Sequence, residues 1–307
     1  MKAQIRWAAL AAALTLPMLA SAQVDRRDRV DGRTRIDTIV PLNANGTVDL
    51  SLISGTIDVS AWSRDQVKIE ASTFDGTLRF SASRSRVGLR VEHEGRGRHR
   101  SSGRTIYKVV VPRGARLILA TVSGPITAKG VGGEVDAESV SGSIEVEDAR
   151  SLSFESVSGG VRARSVSGGA SGESVSGHVI LENVRGDVEA GSVSGPIRLS
   201  GIDGKLVHAS TVSGSIHFSG TVDPAGKYEF ESHSGTIRLA LPANTGARLS
   251  LETFSGSFQS DFPVTLGGND GPGPGRSGEA RIGRGNARIE AQTFSGSILI
   301  FRGENRE

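Results

Sequence analysis

A four-residue phrase, SVSG, recurs through the middle of the chain and limits its fold more than any other feature. It stands at 139–142, 156–159, 165–168, 174–177 and 192–195, with TVSG at 121–124 and 211–214. Looser copies are LISG at 52–55, TFDG at 73–76, SHSG at 232–235, and TFSG at 253–256 and 293–296. Counted from the final Gly, small or apolar residues stand five and seven positions before it and two and four after it. Val135 and Ala137 precede Gly142, and Ile144 and Val146 follow it; Val188, Ala190, Ile197 and Leu199 flank Gly195 in the same way. A spacing of two on both sides is a strand period, so each phrase reads as strand, tight corner, strand. Ser139 and Val140 are adjacent, yet both recur in the inward set, so the inward phase is expected to switch between them. The Gly then supplies the positive φ that such a corner can use.

The separation of the corners sets the architecture. From Gly124 to Gly214 they stand 18, 17, 18, 18 and 19 residues apart, and the copy ending at Gly168 splits one interval into nine and nine. That split reads as two interchangeable halves of a turn. A fixed short period with two strands per unit predicts an all-β chain: a parallel β-solenoid, β-helix or β-roll-like, with about 18 residues and two strands per coil. One coil cannot bury its apolar face alone, so each is expected to stack on the last. Stacking is also expected to line the Ser and Thr residues of the corners into a ladder that exchanges hydroxyl hydrogen bonds.

Residues 1–22 read as an export signal, with Lys2 and Arg6 ahead of an apolar stretch and Ala20-Ser21-Ala22 as a small-x-small cleavage site. No Cys follows, which argues against a bacterial lipid anchor, and no later stretch is long and apolar enough to span a membrane. The predicted location is the periplasm or the cell surface. Residues 23–35 form a charged leader, expected to be loosely attached. Residues 36–115 read as irregular N-terminal coils interrupted by an Arg-rich loop within 84–104. Residues 116–301 read as the regular solenoid with a Gly/Pro-rich excursion at 266–286, and 302–307 as a charged tail.

The chain has no Cys, so neither disulfides nor thiolate chemistry is available. The formal charge of +3 includes Lys2 and Arg6, so the exported chain is near balance and nucleic acid is not an expected partner. GxSxG, HExxH and Walker patterns are absent, the six His are dispersed, and the SG corners lack the Asp ligands of calcium-binding β-rolls. No catalytic residue, metal or cofactor is predicted. The outward positions carry the remaining signal. Before the corners lie Glu70, Asp136, Glu138, Glu155, Glu189, Glu229, Glu231, Glu252 and Glu290; after them lie Arg79, Arg162, Arg198, His217 and Arg238, interrupted by Glu145 and Ile180. Such a charged face also serves simple solvation. The candidate ligand surface is Arg162, Arg198, His217 and Arg238, spaced along the stack at multiples of ~4.8 Å. Guanidinium groups suit carboxylate and phosphate, so the expected ligand is an anionic glycan or a lipid headgroup, with an envelope protein as the other partner class.

The runs GTVDLSLISGTIDVSAWSRDQVKIEA, VVVPRGARLILATVSGPITAKGVGGEVDAESVSGSIEV and TFSGSILI carry a resemblance. With Trp62 after the first coil and Val111-Pro112 before the regular ones, residues 36–301 resemble the bacterial domain-of-unknown-function family 4097, labelled as adhesins. The resemblance implies an exported β-solenoid without established catalysis, in some members associated with envelope stress. It carries over no site residue. The expected function is a non-enzymatic envelope protein offering an adhesin-like binding or scaffolding surface. Two alternatives are a regulatory partner of a membrane stress sensor and a polysaccharide-active β-helix enzyme. The enzyme needs converging carboxylates on one outward face, and the sequence offers no such cluster.

Overall fold

The computed structural model describes residues 28–30, 33–74, 76–92, 104–263, 265–268 and 276–303. The export signal, the centre of the Arg-rich loop at 93–103, the middle of the excursion at 269–275 and the end of the tail at 304–307 lie outside the described residues.

Every regular element among the described residues is a strand. Each coil gives one strand to a first sheet, before the corner, and one to a second sheet, after it; Val188–Ser192 and Ile197–Ile202 are such a pair. Neighbouring coils pair in parallel and in register, so Val135, Leu152, Ala170, Val188, Val207 and Tyr228 form one column. The expected inward sets, Val135, Ala137, Ser139, Ile144 and Val146, and Val188, Ala190, Ser192, Ile197 and Leu199, are all buried. Volumes are matched between coils: Phe154 is fully buried against Gly172, where an added Cβ would lie 2.7 Å from the Phe ring.

The corner differs from its sequence reading in three respects. First, Ser139 is 4% exposed but Val140 is 43% exposed, so the phase switches across 140–143 rather than between those two residues. Second, Gly142, Gly159, Gly177, Gly195 and Gly214 do not need positive φ. A Cβ on any of them would lie 2.0–2.2 Å from the carbonyl oxygen of the next corner Gly down the stack. The corner demands Gly because two backbones touch there; Gly124, at φ 129°, adds a conformational demand to the same contact. Third, the buried hydroxyls at the coil corners that find a partner bond backbone rather than one another. Thr211 Oγ1 donates to Gly195 O at 3.4 Å and Ser232 Oγ to Gly214 O at 3.2 Å, while Ser156 Oγ reaches its own Gly159 O at 3.1 Å. The hydroxyl of the next coil is about a strand spacing away, beyond hydrogen-bond reach, whereas the Gly carbonyl is at hand. Thr121, Ser139 and Ser192 have no side-chain hydrogen-bond partner among the described residues.

The two halves of a coil are not interchangeable. Six residues past the corner Gly, a left-handed residue turns the chain back: Gly130 (φ 70°), Asp148 (62°), Ser165 (58°), Asn183 (57°) and Gly201 (64°). A buried apolar residue follows each, namely Val131, Ala149, Val166, Val184 and Ile202. The SVSG copy at 165–168 falls at this opposite corner, with Ser165 exposed and Val166 buried, the reverse of Ser139 and Val140.

Chain order and stack order part company at both ends. Thr47–Trp62 runs through the LISG corner and serves both sheets. It lies between the coil of Arg116–Ser123 and Ile126–Lys129 on one side and Arg86–Glu92 and Thr105–Pro112 on the other. At the far end, Ala287–Ser295 and Ile298–Arg302 insert between the coils of Gly235 and Gly256. Antiparallel strands cover the edges: Gln66–Thr73 pairs with Arg33–Pro41 and Thr105–Pro112, and Arg276–Ile282 pairs with Ala247–Ser255. The TFDG copy therefore joins capping strands instead of turning a coil, and Thr73 and Thr105 meet there hydroxyl to hydroxyl at 2.9 Å. The leader is partly strand, since Asp28–Val30 pairs antiparallel with 33–35.

Gly195→Ala places a methyl against the Gly177 carbonyl and is expected to cost about 1–3 kcal/mol. Val193→Ala, at an exposed position two residues earlier in the same corner, is expected to be near neutral. Ile197→Asp should be worse than either, because a narrow coil cannot solvate a charge. Urea midpoints rank the three. Equal midpoints for Gly195→Ala and the parent contradict the close-approach account.

Candidate functional site

The position three past the corner Gly lies between two buried residues and so points outward from the second sheet. Register places Glu145, Arg162, Ile180, Arg198, His217, Arg238 and Leu299 in one column. The four sequence-predicted residues therefore share one column. Arg198, His217 and Arg238 occupy adjacent coils, while Ile180 separates Arg162 from them. Arg238 Nη1 lies 3.0 Å from His217 Nε2, a contact in which the guanidinium donates to a neutral ring. Burial, and then the positive charges of Arg238 and Arg198, hold the His217 imidazole below its ordinary range.

The column two residues further along alternates in charge over four levels, Lys129, Glu147, Arg164 and Glu182, before Ser200, Ser219 and Ala240 continue it. Arg164 Nε donates to Glu182 at 2.6 Å, and Lys129 stands 4.0 Å from both Glu145 and Glu147. By contrast, Arg162, Arg198 and Arg238 make no ion pair among the described residues. Arg79 does not belong to this column: it lies on the capping strand Thr77–Ala82 of the first sheet, ion-paired with Glu92. Glu70 likewise lies on a capping strand of the second sheet, 2.5 Å from Lys68.

The first sheet presents the acidic residues. Glu138, Glu155 and Glu173 are adjacent in one column, and burial, then Glu155 and Asp136, push the Glu138 carboxyl upward. Across the middle of this face runs a groove of about 760 Å³, with Ser153 and Ser171 among its lining and Glu189, His208, Lys227 and Glu229 at one end. Glu229 is tied to Lys227 at 2.5 Å and lies 3.7 Å from His208. The sequence reading missed this groove. Its signal was the pair of short outward residues, Ser153 and Ser171, on successive coils between Asp136 and Glu189. Among the described residues no group of three or more His, Asp or Glu is placed to hold a metal ion, and no helix is long and apolar enough to cross a membrane.

Residues 115–301 match the family described as Toastrack DUF4097, a narrower span than the 36–301 of the resemblance. Solved structures align as well, three of them as follows. A "putative cell adhesion protein" from Clostridium sporogenes is 10% identical, over 88% of this chain and 100% of that one, at TM-score 0.25. A "putative adhesin" from Bacteroides fragilis is 12% identical, over 87% and 96%, at TM-score 0.30. Another from Parabacteroides distasonis is 9% identical, over 87% and 96%, at TM-score 0.35. Overlays this loose carry no functional weight. No curated protein matches the chain.

The His217 shift has a consequence that can be measured. The fold favours the neutral ring, so the unfolded chain takes up the proton at higher pH. The contribution to stability is whole above the ordinary value of 6.5 and is lost as pH falls from there through the folded value. His217→Gln should flatten the loss of stability on acidification. In a nuclear magnetic resonance titration, Arg238→Ser should raise the His217 midpoint while burial keeps it below 6.5. An unmoved midpoint contradicts the electrostatic coupling of the two side chains.

Proposed function

The chain belongs to the Toastrack DUF4097 family, and from that premise we propose that it is a non-enzymatic envelope protein whose second sheet binds an anionic polymer. The observation that carries this reading is a set of guanidinium groups without counterions, Arg198 and Arg238 flanking His217, with Arg162 two coils from Arg198. Parallel stacking holds successive positions of the column ~4.8 Å apart. A polymer with repeating carboxylate or sulfate groups can meet several of them without a pocket. Each exposed contact is worth about 0–1 kcal/mol, so affinity depends on several acting together. A glycan supplies that repetition along one line; a lipid headgroup offers a single phosphate.

The enzyme reading has less support. Glu189 and Glu229 face the same groove, but Glu229 is held by Lys227 and has His208 beside it. That arrangement neutralises a carboxylate rather than preparing it to donate a proton.

The test compares the parent with a variant carrying Arg162→Ser, Arg198→Ser and Arg238→Ser, using polygalacturonate and, separately, phosphatidylglycerol vesicles. The parent is expected to bind polygalacturonate at low salt and to lose that binding as salt is raised, because the charges remain near water. The triple variant should stay folded and bind about tenfold more weakly or worse, a loss of about 1.4 kcal/mol. Equal polygalacturonate binding by both proteins overturns the reading, and binding to vesicles alone reassigns the column to a lipid headgroup.

A further inference from the structure

The residue two before each corner Gly forms an exposed apolar ridge along the edge where the two sheets meet. In stack order it runs from Ile53 through Val140, Val175 and Val212 to Phe294 and Phe254, each 43–50% exposed, with Val or His233 at the levels between. Ser precedes every corner Gly beside it, so across ten levels neither column contains Asp, Glu, Lys or Arg. In a chain with 22% charged residues this is not what solvation requires. At one end the rings of His233, Phe294 and Phe254 stack at 4.9 and 4.6 Å.

We propose that this ridge pairs two copies of the chain side by side, coils level, about a two-fold axis along the stacking direction. The borders of the ridge decide the orientation. Two residues before the ridge, on the first sheet, lie Glu138, Glu155, Glu173 and Glu231; three past the Gly, on the second sheet, lies the Arg column. A two-fold axis across the ridge sets first sheet against first sheet, carboxylates facing carboxylates. An axis along the ridge sets the first sheet of one copy against the second sheet of the other. Glu155 then faces Arg162 and Glu231 faces Arg238. Glu138 meets Glu145, which Lys129 already accompanies at 4.0 Å. Arg198 and His217 face Gly191 and Ser210, where the acidic column has its gap, and so meet no carboxylate.

Size requires the borders as well as the ridge. Nine steps of ~4.8 Å give a ridge about 43 Å long. The ridge alone, about 10 Å wide, buries roughly 900 Å² over both copies, below the range of stable interfaces. Including both borders, seven residue steps of ~3.3 Å reduced by the bend of the corner, widens the strip to about 20 Å. The buried area then reaches about 1,700 Å², the standard size.

The absence of Cys makes the test direct. In the level arrangement each ridge residue meets its own copy, so Val140→Cys, Val175→Cys and Val212→Cys should each form a covalent dimer under mild oxidation. A head-to-tail arrangement crosslinks at most one of the three. Val175→Asp, at a position 47% exposed, should leave the far-ultraviolet circular dichroism spectrum unchanged. In sedimentation it should raise the dimer dissociation constant about tenfold or more. A parent that stays monomeric with no crosslink at any of the three sites overturns the proposal, as does crosslinking at one site only. Binding of monomeric parent to phosphatidylethanolamine vesicles, lost in Val175→Asp, also overturns it and assigns the ridge to lipid. The dimer sets Arg162 and Arg238 against the partner's carboxylates, so polygalacturonate binding is measured on monomeric Val175→Asp, whose Arg column is intact, and tests the anionic-polymer reading separately.

Discussion

The structure depends on one close approach. At the SxSG corner the backbone of each coil rests on the backbone of its neighbour, with no room for a Cβ between them. Gly carbonyls that the ladder leaves free there accept the hydroxyls of buried Ser and Thr, as Gly195 does from Thr211. The contact fixes the level of each coil against the next. Once the levels are fixed, every position along the sequence period becomes a column in space. The core, the charged faces and the ridge are all consequences of that translation from period to column.

Columns give the molecule its chemical character. A side chain repeated at one offset is multiplied along the stack, so a modest bias in the sequence becomes a charged or apolar stripe. The carboxylates of Glu138, Glu155 and Glu173 crowd one another on the first sheet, and burial adds to the upward pressure on Glu138. On the second sheet, burial and then the positive charges of Arg238 and Arg198 push the His217 imidazole downward. Isolated surface charges of this kind are ordinary; in register they make an extended charged surface that no single coil possesses.

Much of this was legible in the sequence, and what was not has a physical reason. The inward sets around Gly142 and Gly195 followed from a period of two on either side of a marked corner, and register then made the Arg162–Arg238 column readable as well. The phase at Val140 was misread because an exposed Val at a recurring offset looks like core; only its partners show that it faces out. Ser165 misled for a related reason: the same four letters serve a left-handed corner there, which Gly130, Asp148 and Asn183 mark more faithfully at the same offset. The insertion of Ala287–Ser295 between earlier coils was invisible, because a parallel ladder accepts any in-register neighbour and sequence order does not choose among them. Arg79 and Glu70 were placed by local pattern, yet they sit on antiparallel caps, Arg79 in a hairpin with Arg86–Glu92 and Glu70 between Arg33–Pro41 and Thr105–Pro112.

The central claim is that like positions stack level by level, with the final segment inserted ahead of the coil that precedes it in the chain. Pulsed electron spin resonance distances from a label at Val122 to labels at Phe294 and Phe254, in molecules diluted with unlabelled protein, test it most directly. Seven and eight steps of ~4.8 Å predict about 34 Å to residue 294 and about 38 Å to residue 254. A longer distance to residue 294 than to residue 254 would contradict the account.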